Sequence, residues 1–252
     1  MLLEIMMIID KVNDIINGHT SNNSLYVFCV FIKENITRIP TMTIEDIAKE
    51  CYISKGQVSK CIRNLDYQNY EDFLHECDSY IDSLERRQLF FHPKQSLKEN
   101  INTFSKNFLK NVQYTQKYFN DIQIEQLLKN IKSSHKIYLY AQGDARSLIY
   151  NIQRECNIHH INTIICDVDL KKEYTFTDQD ILIVISINGD TFHYDKRIIQ
   201  RLKKAKVNKW LITCQNGIHF CDNQIFIHCL DSSYHVYMMR YFIDILLLGL
   251  QM

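Results

Sequence analysis

MTIEDIAKECYISKGQVSKCIRNL, residues 42–65, decides how the first third of this chain folds. Thr43 can cap a first helix, in which Ile44, Ile47 and Ala48 recur on one face. Cys51, Tyr52 and Ile53 form a compact turn. Ser54 restarts the helix as its N-cap, and Gln57 three positions later completes a capping-box pattern. In the second helix Val58, Cys61, Ile62 and Leu65 make a stripe that packs on the first. Lys55, Gln57, Ser59, Lys60, Arg63 and Asn64 are left facing outward. That donor-rich set suits base edges and phosphates of a major groove, and Lys55, Gln57, Ser59, Lys60 and Arg63 are the expected DNA contacts.

Working outward, residues 1–17 alternate apolar and charged positions at helical spacing, and residues 24–34 (SLYVFCVFIKE) are apolar nearly all round. The second segment is therefore expected as the central helix of a small bundle. Residues 69–89 read as a further helix with Phe73, Leu74, Cys77 and Ile81 inward, and Pro93 marks the best domain boundary. Residues 1–85 hold 7 Lys/Arg against 14 Asp/Glu, an uncomfortable balance for a DNA reader because phosphate neutralisation supplies much of the affinity. From Cys51 to Leu65, however, there are three basic residues and no acidic one. Nine cysteines without a C-x-x-C pair, and no basic n-region before the apolar start, indicate reduced thiols in a cytoplasm. The last apolar run, residues 241–250, contains Asp244 and is too short to span a bilayer, so no membrane partner is expected.

From Ser96 to Asn130 the pattern is again helical, with Leu97, Ile101, Phe104, Phe108, Leu109 and Val112 in phase. The character changes at Lys136. Short apolar runs at 137–141, 163–168, 180–186, 209–214 and 224–229 alternate with helical patterns at 146–157, 192–204 and 234–250. Such runs suit strands buried on both faces, hence a mainly parallel sheet flanked by helices, with ligands expected beyond the carboxyl ends of the strands. Gly143 follows the first strand and Gly189 the third. Each lets backbone N–H groups and a helix N-terminus approach an anion. Ser186, Asn188 and Thr191 around Gly189 can hydrogen-bond phosphate oxygens, although the same residues would serve equally as turn and cap formers.

The S-x-N-G-x-T loop at 186–191 is similar to the S-x-S-G-x-T loop of sugar isomerase (SIS) domains, and AQGDA at 141–145 occupies the place of their G-x-G-x-S loop. With a helix-turn-helix bundle before such a domain, the chain resembles the RpiR/MurR family of bacterial transcription regulators. Residues 54–66 are the equivalent of that family's recognition helix, and it is the order and spacing of the three motifs together that carry the resemblance. The resemblance implies an α + α/β chain: a helix-turn-helix domain over 1–90, a helical linker with the first SIS helices over 91–130, and a SIS domain over 131–252. It implies double-stranded operator DNA and a sugar-phosphate-like effector as partners, a homodimer or tetramer, and neither a metal nor a cofactor. The effector would meet Gly143, Asp144, Ser186, Asn188, Gly189 and Thr191. Ala141, Ala145 and Asn188 depart from the family loops, and Asp144 adds a carboxylate that Arg146 would offset. A pocket that no longer binds, leaving a domain for dimerisation only, is the alternative.

An enzyme is the less favoured reading. Aldose–ketose isomerisation needs a general base, and His193 and His235 are the nearby candidates. The attached helix-turn-helix argues for a regulator without catalytic activity. Cys214, His219, Cys221, His228 and Cys229 fit no zinc spacing and read as structural groups. Tyr138, Tyr140 and Tyr150 read as core or dimer surface.

Overall fold

The structure, a computed structural model, describes residues 8–18, 23–65, 67–88, 90–166, 174–189, 192 and 196–251. The chain divides into two compact units, Met1–Pro93 and Lys94–Met252.

Unit 1 is all helical among the described residues: α1 (Ile8–Gly18), α2 (Ser24–Asn35), α3 (Ile44–Glu50), α4 (Lys55–Asn64) and α5 (Tyr70–Gln88). Local chemistry sets these limits. Thr43 and Asp46 cap α3 reciprocally, and Ser54 and Gln57 do the same for α4, so two orphan donors are satisfied at each start. At the other end of α4, Lys11 Nζ donates to the Leu65 carbonyl at 2.7 Å, a cation where the helix dipole favours one. The core joins Phe28, Cys29 and Ile32 of α2 to Ile47, Val58, Cys61, Ile62 and Phe73. The Phe73 ring sits 5.8 Å from Phe28 and 5.9 Å from Tyr67. The apolar stripe of α4 is therefore buried as its spacing requires.

Unit 2 opens with α6 (Leu97–Lys117) and α7 (Asp121–Ser133). The helical pattern of 96–130 is divided into two helices at Asn120, which caps a fresh start by accepting from Gln123 N. The strands β1 (Ile137–Ala141), β2 (Thr163–Ile165), β3 (Ile181–Ser186), β4 (Asn208–Thr213) and β5 (Asn223–Phe226) follow, with α8 (Arg146–Ile158), α9 (Lys196–Lys204) and α10 (His235–Leu250) among and after them. The sheet order is β2-β1-β3-β4-β5, and every pairing is parallel. β1 and β3 are buried throughout, as continuous apolar runs in a covered parallel sheet should be. The expected second strand is shorter: pairing ends at Ile165, and residues 167 and 168 lie outside the described ones. The last run leaves the sheet after Phe226.

The most deeply buried positions of α6 are polar, while Phe104 and Phe108 of the apolar pattern pack half-buried against Tyr234 and Tyr237. Asn100, Asn111 and Thr115 are buried, whereas Leu97, Ile101 and Leu109 of the apolar pattern are exposed. Asn111 Oδ1 accepts from Leu230 N at 3.0 Å and Asp231 N at 3.3 Å, and Thr115 Oγ1 donates to the His228 carbonyl at 2.6 Å. These bonds satisfy a segment that has left the sheet and lost its ladder partners.

Candidate functional site

Two surfaces concentrate the residues singled out from the sequence. The first is the outer face of α4. Lys60, Arg63 and Asn64 are exposed there and form no ion pair among the described residues, while Ser59 is half-buried. Gln57 is occupied at both ends of its amide. Its Oε1 accepts from Ser54 N at 2.9 Å, and its Nε2 donates to Ser24 Oγ at 3.2 Å. Lys55 is ion-paired with Glu45, whose carboxyl is held below its ordinary range chiefly by that contact. Glu50 of α3 pairs likewise with Arg38 at 2.9 Å. Two acids beside α4 are thus neutralised locally, and the unpaired positive charge on the helix belongs to Lys60 and Arg63.

Two backbone details accompany this face. Tyr52, in the turn between α3 and α4, has φ +55° and is 95% exposed. A bulky L-residue in the left-handed region is strained, and no burial offsets it here. Gly56 stands in the first turn of α4 with only Ser54 Oγ near the place a Cβ would take, at 3.9 Å. Nothing inside the unit requires a glycine there.

The second surface is the carboxyl edge of the sheet. In the order 2-1-3-4-5 the connections reverse direction between β1 and β3, the place where doubly wound sheets open a crevice. Register brings Ala141 beside Ile185 and Ser186 beside Thr213, so the loops after β1 and β3 leave side by side. Gly143 (φ +55°) and Gly189 (φ +82°) both adopt the left-handed conformation that favours glycine. At Gly189 the fit is also close: a Cβ would lie 3.0 Å from Gln215 Cγ and 3.1 Å from Ile218 Cδ1. Ser186 is buried, Asn188 half-buried, and Asp144 lies half-buried in the short turn Gly143–Ala145 that leads into α8. Thr191 and His193 lie outside the described residues.

Long-range contacts add what spacing does not show. Nδ1 of His235, the first residue of α10, lies 2.9 Å from Oδ1 of Asn188, so the imidazole stands at the loop after β3. Cys214 continues this edge, with its N–H on the Ile187 carbonyl at 3.1 Å and its thiol 3.7 Å from the His235 carbonyl. Arg146, expected to offset Asp144, instead turns inward and is only 6% exposed. Its Nη1 donates to the carbonyls of Cys166 (2.8 Å) and Ala141 (3.5 Å), tying the ends of β1 and β2 together, and its guanidinium lies 5.7 Å from the Tyr150 ring. Ser147 Oγ donates to the Asp144 carbonyl at 3.1 Å and so does not replace the hydroxyl missing at Ala145. The thiols of Cys214 and Cys221 are pushed up, by the neighbouring Cys229 thiol and by burial respectively, and stay protonated at neutral pH.

Among the described residues, no helix is long and apolar enough to cross a membrane. No family model matches the sequence, and no curated protein matches it. Solved structures do. A proposed sugar-phosphate isomerase from Listeria monocytogenes is similar at 13% identity with a TM-score of 0.53, over 64% of this chain and 92% of that one. The NanR protein of Vibrio vulnificus, in complex with ManNAc-6P, is similar at 14% identity and a TM-score of 0.48, over 96% of this chain and 90% of that one. The sugar isomerase domain of an RpiR transcription factor from Sphaerobacter thermophilus gives 15% identity and a TM-score of 0.45, over 62% and 90%. The likeness to the Listeria protein is one of fold.

Proposed function

We propose that the chain is a cytoplasmic transcription regulator of the RpiR type, in which unit 1 is a helix-turn-helix DNA reader and unit 2 binds a phosphorylated sugar or a related anion. The observation that carries the first half is α4: a doubly capped helix, apolar side buried, presenting Ser59, Lys60, Arg63 and Asn64 without acidic neighbours on its own turn. Gly56 supports it, since a glycine with open space beside it leaves room for a phosphate backbone to approach the helix start. Lys55 and Gln57 are held in internal contacts and would reach DNA only after exchanging Glu45 and Ser24 for it. So few contacts make a homodimer or tetramer on a palindromic site the natural arrangement.

For unit 2, the effector would sit on Gly143, Asp144, Ser186, Asn188, Gly189 and Thr191, at the reversal between β1 and β3. Its binding would shift the balance between two dimer geometries with different affinities for the operator. Gel-shift on the DNA upstream of the chain's own gene tests the reader: Lys60→Ala and Arg63→Ala should abolish a salt-sensitive shift, and unchanged binding would remove α4 from the role. A thermal-shift screen of sugar phosphates tests the crevice, because a ligand at about 100 times its Kd adds about 2.7 kcal/mol. One contact favours a second reading, a sugar-phosphate isomerase: His235 places an imidazole at the crevice, 2.9 Å from Asn188. Turnover of an aldose phosphate that His235→Gln removes would establish it.

A further inference from the structure

The charge that unit 1 lacks as a DNA reader is found elsewhere in the chain. Residues 1–93 hold nine Lys/Arg against fourteen Asp/Glu, and residues 94–252 hold twenty against fifteen. From Lys196 to Lys209, seven of fourteen residues are Lys or Arg and none is Asp or Glu. The whole positive excess of unit 2 therefore lies in this one run, which is α9 and the lead into β4.

The fold explains one side of α9 and not the other. Leu202 and Ala205 are buried with Tyr138, Leu182 and Leu211, so the helix needs an apolar inner face to cover the sheet. Lys203, Lys204 and Lys206 are exposed and make no ion pair among the described residues, and Arg201 and Gln200 are exposed with them. An ordinary solvated helix face mixes signs, because like charges this close repel and cost stability. A face of one sign raises the local concentration of polyanions and accelerates their capture.

We infer that the basic face of α9 is a second, sequence-independent contact for duplex DNA, its lysines neutralising backbone phosphates while α4 supplies the base readout. The inference rests on the DNA-binding reading above. It resolves the charge deficit of unit 1, since phosphate neutralisation, not base contact, sets most of the affinity of a DNA-binding protein. Duplex DNA fits better than an acidic protein surface because the basic side chains are long and closely spaced along one run without an acid.

The test uses the full chain, a duplex of random sequence and fluorescence anisotropy across a salt series from about 50 to 200 mM. Lys203→Gln, Lys204→Gln and Lys206→Gln together should leave the urea midpoint unchanged or slightly raised, since all three are exposed and their mutual repulsion is relieved. They should reduce the slope of log K against log salt by roughly 2–3, about 0.9 for each phosphate no longer neutralised. Specificity for a sequence selected by α4 should survive, because the weakening is uniform across sequences. A wild-type protein that binds duplex with a steep salt slope, and a triple variant with the same slope, would overturn the inference while leaving α4 as the reader. No binding of the wild type to any duplex at low salt would instead overturn the DNA-binding reading itself. A triple variant that keeps its DNA slope but changes oligomeric state in sedimentation would assign the face to an acidic protein surface, which also overturns it.

Discussion

α4 and the crevice at the sheet edge are built in opposite ways. The helix is made by neighbours in sequence: Ser54 and Gln57 cap each other across three residues, and a stripe at helical spacing buries itself. The crevice is made by residues far apart, with Asn188 meeting His235 and Asn111 of α6 holding the backbone at Leu230 and Asp231. Damage to the first should therefore be local and modest. Damage to the second should propagate through every segment the contact joins.

Glycine gives the sharpest version of that contrast. Gly189→Ala places a Cβ at φ +82° against Gln215 and Ile218, adding left-handed strain to overpacking. We expect a loss of about 2–4 kcal/mol in the unfolding of unit 2, read from urea midpoints. The same chemical change at Gly56, in open space within α4, should raise the stability of unit 1 by about 0.5–1 kcal/mol. Equal effects of like sign would break the comparison.

The next effect comes from Asn111. Its carboxamide is buried, and its oxygen serves two backbone N–H groups while its Nδ2 donates to the Asn107 carbonyl. Asn111→Ala leaves those donors without their acceptor, at a cost of about 2–3 kcal/mol. Because the segment so held leads into α10, hydrogen exchange at Leu230 and Asp231 should accelerate more than exchange within β4. A uniform change across unit 2 would mean that Asn111 acts only through global stability.

What the sequence disclosed follows the same division. The helices of unit 1, the Thr43 cap, the Ser54–Gln57 capping box and a mainly parallel sheet of apolar strands rest on local periodicity and short-range hydrogen bonds, which a single chain displays directly. In α6 the apolar stripe holds in part: Phe104 and Phe108 pack on Tyr234 and Tyr237, whereas the buried Asn100, Asn111 and Thr115 have no apolar signal, and the roles of Asn111 and Thr115 become intelligible only once residues 228–231 are seen beside them. The break between α6 and α7 falls at Asn120, an N-cap residue followed by Asp121. Arg146 was misplaced. Proximity in sequence paired it with Asp144, whereas the sheet brings the Cys166 carbonyl into its reach.

Alkaline pH probes the buried thiols of unit 1. Burial pushes the thiols of Cys29 and Cys51 up to about 12, with Cys61 nearby adding to both. In the unfolded chain these groups ionise near the ordinary value of about 8.5. A raised folded value means that their contribution is fully present below about pH 8.5 and is lost as pH rises toward 12. Unit 1 should lose stability above pH 9 by about 1 kcal/mol per pH unit for each such thiol, and Cys29→Ala should flatten the slope. A stability profile that is level from pH 8 to 11 would rule out a thiol origin.

A smaller loss is expected at the cap of α4. Ser54→Ala removes the acceptor for Gln57 N and should cost about 1 kcal/mol. It leaves the Gln57 side-chain amide on Ser54 N and Ser24 Oγ, so any change in DNA binding can be compared with that of Gln57→Ala, which removes both of those bonds and leaves the Ser54 hydroxyl in place.

The smallest effect has the opposite sign. Tyr52 holds a left-handed backbone conformation with its ring almost wholly in solvent, so the turn bears strain that no packing offsets. Asn enters that region more readily than Tyr, because its short polar side chain bonds locally. Tyr52→Asn should therefore raise the stability of unit 1 by about 0.5–1 kcal/mol, visible as a higher urea midpoint at unchanged m. If the same variant also weakens binding to duplex DNA, the strain is retained for an aromatic contact at the entrance to α4. If binding is unaffected, Tyr52 is a tolerated cost of the turn, and the proposed contact with DNA does not include it. A fall in stability would instead show that the ring packs in solution, and the left-handed turn could no longer be counted as strained.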